Sequence, residues 1–151
     1  MMTATAPSPA TLPVLLAESA PGDEELFRGA LQRTGYCNAL HAVHNREEAI
    51  GYLQGDGRYA NRAVFPLPQL LVLNPKTPGK NDWEILQWLR ERPEFSSLVV
   101  VMFGGSGTLA EEDMAYRLGV NHYHLRPRGA DEFTKAIKRI ADVWLARNLS
   151  H

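Results

Sequence analysis

The sequence predicts an α/β fold, a five-stranded parallel sheet covered by helices on both faces, and three observations predict it. Short apolar runs alternate with stretches of helical periodicity from residue 13 to residue 148. Two of those runs, LLVL at 70–73 and LVVVMF at 98–103, are continuous and not alternating, as expected of central strands buried on both sides. The connections between runs and helical stretches are mostly short, which demands right-handed crossovers and a sheet sandwiched between helices.

Each element has its own signal. PVLLAE (13–18) is the first strand; GDEELFRGALQRTG then reads as a helix with acidic residues in its first turn and Gly35 as its stop. CNALHAVH (37–44) alternates and gives the second strand, followed by a helix over 46–54. GDGRYANRAVFPLP is a long connector to LLVL, the third strand, after which DWEILQWLRER is helical. LVVVMF is the fourth strand and GGSG a turn; a helix over 108–118, the strand NHYHL and a last helix over 130–148 complete the chain. Five such units match the flavodoxin-like, doubly wound strand order 2-1-3-4-5. In that arrangement the carboxyl ends of the strands form the ligand crevice, so the abrupt stop of LLVL at Asn74-Pro75, with Lys76 close behind, lies where chemistry belongs.

Composition bounds that chemistry. At 151 residues, 44% hydrophobic and 22% charged, the chain fits one domain, expected over 12–148, with a disordered tail over 1–11 and a short one over 149–151. A net charge of -1 supplies no field to recruit nucleic acid or an anionic membrane. No run approaches the ~18 apolar residues of a membrane span, and the start lacks the basic and apolar pattern of a secretory signal, so a cytoplasmic protein is expected. The single Cys37 excludes an internal disulfide and reads as a buried strand residue. His122 and His124 share one strand face, too few ligands for zinc, and FGGSG lacks the lysine of a phosphate-binding loop; no metal and no cofactor are expected.

LLAESAPGDEELF, PQLLVLNPKTPGKNDWEIL, LVVVMF, LGVNHYHLRP and IADVW together resemble the receiver domains of bacterial response regulators, the CheY-like superfamily. They are most similar to the stand-alone receivers that partner phytochrome-type histidine kinases. The resemblance spans about residues 12–145. It implies a pair of acids after the first strand and an aspartate ending the third, which bind magnesium, the last of them accepting a phosphoryl group from a histidine kinase. It also implies a Thr or Ser after the fourth strand and a Lys after the fifth that read the phosphoryl oxygens, and an aromatic residue before that Lys that changes rotamer.

Set against that pattern, the chain is degenerate. Glu18 keeps the first acid, Ser19 stands at the second, Asn74 at the phosphoacceptor, Phe103 at the hydroxyl and Arg126 at the lysine. Tyr123, Pro127 and Pro78 agree with it. A carboxamide is far too weak a nucleophile for a phosphohistidine. Magnesium would find a single carboxylate beside two cations, Lys76 and Arg126. A phenyl ring offers no hydroxyl donor. Asn74 then serves as a polar strand terminator bonded to nearby backbone. Arg126 is either a surface cation or the partner of Glu18 in a salt bridge standing in for the metal.

The last helix carries more apolar residues than one sheet-facing stripe requires. Ile140, Val143, Trp144 and Leu145 therefore suggest a symmetric homodimer through the fourth helix, fifth strand and fifth helix, the dimer face that the resemblance implies; core packing with scattered surface apolars is the alternative. Two functions compete: a non-catalytic interaction module, a pseudo-receiver recognised by a histidine kinase or another signalling protein, and a relay protein phosphorylated at a non-standard residue such as Ser19. A small cofactor-binding protein of the same fold is weaker, because nothing supplies a phosphate loop. With no effector segment after Trp144, output is expected to pass through another protein.

Overall fold

Residues 12–17, 22–74, 80–105 and 108–145 are described by the computed structural model. The expected tails, and with them Glu18, Ser19, Lys76 and Pro78, lie outside the described residues. Five parallel strands, β1 (Val14–Ala17), β2 (Leu40–Val43), β3 (Leu70–Leu73), β4 (Val99–Gly104) and β5 (His122–Leu125), form one sheet in the order β2-β1-β3-β4-β5. The helices are α1 (Asp23–Arg33), α2 (Arg46–Gln54), α3 (Lys80–Arg90), α4 (Leu109–Arg117) and α5 (Ala130–Trp144), with short 3-10 turns at Gly57–Tyr59 and Pro93–Phe95.

Alternation along the strands divides the core into two layers. Leu15, Ala17, Leu71, Leu73, Val100 and Met102 pack with residues of α2, α3 and α4. Val14, Leu16, Leu70, Val72, Val101 and Phe103 face α1 and α5. The central strand β3 is buried at every position, as its unbroken apolar run requires. Each such Leu contributes roughly 1.5–3 kcal/mol relative to an exposed one.

Local chemistry fixes the helix starts. Asn45 caps α2 by accepting the Glu48 N–H at 2.8 Å, and Glu48 accepts the His44 N–H at 2.8 Å. Thr108 caps α4 by accepting the Glu111 N–H at 3.2 Å. The long connector is held on β2 by an aromatic group: Tyr52 Oη donates to Pro66 O at 2.9 Å, and Phe65 lies edge-on to Tyr52, Tyr59 and His41.

Two expectations are corrected. Strand β2 begins at Leu40 and not at residue 37, and Cys37 is exposed. The reason is Asn38, whose amide donates to Leu12 O at 2.7 Å and to Gln69 Oε1 at 3.2 Å, so side-chain bonding replaces the backbone ladder there. On α5 and at its carboxyl-terminal cap, Ile140 and Leu145 are 4% and 2% exposed and belong to the α1–α5 core layer; they are not available to a partner. Trp144 is half-buried against the same layer, and Val143 alone of the four is exposed.

Candidate functional site

The crevice lies at the carboxyl ends of β1, β3, β4 and β5, where the register places Ala17, Leu73, Met102 and Tyr123 side by side. Asn74 follows β3 directly, is fully buried, and donates its backbone N–H to Ala17 O at 3.1 Å. Its side-chain Nδ2 donates to Asp23 Oδ2 at 3.3 Å. Asp23 is the first residue of α1, and the same Oδ2 forms an ion pair with Arg126 Nη2. Arg126 is positioned by its backbone N–H, which donates to Gly104 O at 3.0 Å just beyond the end of β5. A carboxamide and a guanidinium thus converge on one carboxylate at the mouth of the sheet.

Asp23 is the site residue that the sequence did not reveal. Its place among Asp23, Glu24 and Glu25 reads as an ordinary acidic first turn, favourable to the helix dipole. Only the fold brings Arg126 to it. The guanidinium is engaged by Asp23; Glu18, the partner that the sequence offered as one of two alternatives, lies outside the described residues. Burial pushes the Arg126 guanidinium below its usual range, and it remains charged at any physiological pH. The two side chains are about one-fifth exposed, at 21% and 19%, so solvent screens the pair incompletely.

Phe103 is turned into the core. It is fully buried in the α1–α5 layer, stacked on Phe133 at 5.6 Å and edge-on to Phe27 at 6.1 Å. Tyr123 faces the opposite layer, near Ala115 and Val120, and its hydroxyl donates to Glu111 on α4. Phe103 and Tyr123 therefore lie in different layers of the core.

The described residues do not fit a magnesium ion. Asp23 Oδ2 already serves an amide and a guanidinium, and a cation placed there would meet the Arg126 charge. Among the described residues no three His, Cys, Asp or Glu side chains gather as a metal site, and no helix is long and apolar enough to cross a membrane.

No protein-family model matches the chain. The response regulator Rcp1 of Synechocystis is 26% identical over 132 residues, covering 87% of this chain and 88% of Rcp1. Among solved structures, the bacteriophytochrome response regulator AtBRR is 32% identical over 85% of this chain and 91% of its own, with a TM-score of 0.65. The cyanobacterial phytochrome response regulator RcpA, solved in phosphorylated form, is 26% identical over 91% of this chain and 96% of its own, with a TM-score of 0.81. The strand order, the crevice and these likenesses define the class: the chain belongs to the response-regulator receiver family, close to the stand-alone phytochrome response regulators. It is a receiver of two-component signalling.

Proposed function

We propose that the chain is a pseudo-receiver, a cytoplasmic protein–protein interaction module whose conformation does not depend on phosphorylation. The observation that carries this reading is the Asn74–Asp23–Arg126 cluster. At the acceptor position stands a group without a nucleophilic oxygen anion, and the neighbouring carboxylate is held by an internal cation where a receiver needs an external one. RcpA has been solved phosphorylated and Rcp1 with Mn2+ bound; the chemistry of this crevice suits neither group. Its partners are a second copy of the chain and a histidine kinase or another signalling protein.

Incubation with acetyl phosphate and magnesium, followed by intact mass, tests the reading. The expected spectrum is that of the unmodified chain, and magnesium at about 1 mM is expected to leave the tryptophan fluorescence unchanged. A stoichiometric phosphoryl adduct would reject the proposal, and its mapping to Ser19 would make the protein an unorthodox relay.

A further inference from the structure

Tyr123 is 8% exposed, and its ring is packed inward over β4. Room for it comes from Gly104. A Cβ at that position would collide with Tyr123 Oη and Cζ and with Glu111 Oε2. Gly104 has no positive φ, so its backbone does not call for glycine; the approach of the tyrosine does. The phenol donates to the Glu111 carboxylate, a charge-assisted bond. Glu111 is placed in turn by the Thr108 cap at the start of α4. A second tie joins the same two elements: the Tyr123 N–H donates to Tyr116 Oη at 3.0 Å. β5 is therefore fastened to α4 through both the side chain and the main chain of one residue.

We propose that Glu111 is a positioning residue that holds Tyr123 inward permanently, in place of a phosphoryl-dependent contact, with Gly104 providing the space. The inference rests on the pseudo-receiver reading and names what sets the shape of the α4–β5 surface once the crevice no longer does. Phe103, at the position that would relay a phosphoryl signal, is stacked in the other core layer. The lock is instead written into α4 and the end of β4.

The test uses the full chain labelled with 3-fluorotyrosine, the Tyr123 signal among the five tyrosines being assigned from Tyr123→Phe. The wild type should give one buried Tyr123 fluorine signal that acetyl phosphate and magnesium leave unmoved. Glu111→Ala should shift it toward the position of a solvent-exposed tyrosine and speed exchange of the Tyr123 amide on the order of tenfold, as expected for loss of a bond to a charged group. Glu111→Gln, which keeps an acceptor, should restore the buried signal. Gly104→Ala should displace the ring by collision with Glu111 intact. Tyr116→Phe should speed amide exchange and leave the ring signal alone. An unmoved signal in both Glu111→Ala and Gly104→Ala would overturn the latch while leaving the proposed function standing. A wild-type phosphoryl adduct with an unmoved Tyr123 signal would overturn the function and support the latch.

Discussion

The ring of Phe103 packs against both Phe27 and Phe133, which also meet each other, so at the position where the resemblance implies a hydroxyl this chain places a member of the hydrophobic core. Replacing it is therefore costly. Phe103→Thr leaves a cavity in that aromatic group and buries a hydroxyl, and should destabilise the fold by about 3 kcal/mol. Urea unfolding would show it, and a midpoint equal to wild type would mean that the ring contributes little. Asn74→Asp alone should likewise fail to restore phosphorylation. The new carboxyl would be buried beside Asp23, where desolvation and a like charge favour its protonated, non-nucleophilic form, and Arg126 already serves Asp23. Efficient labelling of Asn74→Asp by acetyl phosphate, read by intact mass, would show that the other losses matter less than their chemistry implies.

Each outer strand carries a histidine whose environment opposes protonation. On β2, Tyr52 gives its one hydroxyl proton to Pro66 O, so His41 Nδ1 must donate to Tyr52 Oη at 2.9 Å. Burial, then the charge of Arg28, holds His41 below the usual 6.5. On β5, burial, then His124 and Arg139, does the same to His122. A depressed folded-state pKa means that the unfolded chain takes up the proton first. Stability is therefore complete above about pH 6.5, and falls as pH drops through that value until the folded pKa is passed. The urea midpoint should decrease between about pH 7 and pH 5.5, and His122→Gln should flatten part of the slope; a midpoint constant over that window would contradict both assignments. At this scale the sequence was most legible. α2 spans Arg46–Gln54 and β3 spans Leu70–Leu73, as the periodicity predicts, because helical spacing and an unbroken apolar run are local signals. Where a tertiary contact decided the outcome, legibility ended. Asp23 reads as a helix-dipole acid until Arg126 arrives from the far end of the chain, and the alternation of CNALHAVH begins three residues before the strand does, because the Asn38 side chain bonds Leu12 O and Gln69 Oε1 there.

Across the whole molecule, the surface is uneven in a way the sequence only hinted at. Seven large hydrophobic residues are exposed among the described residues, and five of them, Leu109, Met114, Tyr116, Leu125 and Val143, lie on α4, β5 and α5. Leu109 is 85% exposed, far more than a core-facing role would allow. A two-fold contact through these elements would cover such residues on both copies at once, and it is the commonest arrangement of soluble oligomers. Nothing in it calls for a phosphoryl group, so association should be constitutive. The structure separates two residues that the sequence groups in one apolar excess. Val143→Glu places a carboxylate on an exposed position and should give a folded monomer, because the charge would be buried without a partner only in the dimer. Leu145→Glu places it in the α1–α5 core layer and should lower stability by several kcal/mol whatever the oligomeric state. Light scattering decides the matter: a wild-type mass near 16.8 kDa at tens of micromolar would end the dimer proposal, and a dimer that survives Val143→Glu unchanged would place the contact elsewhere on the surface.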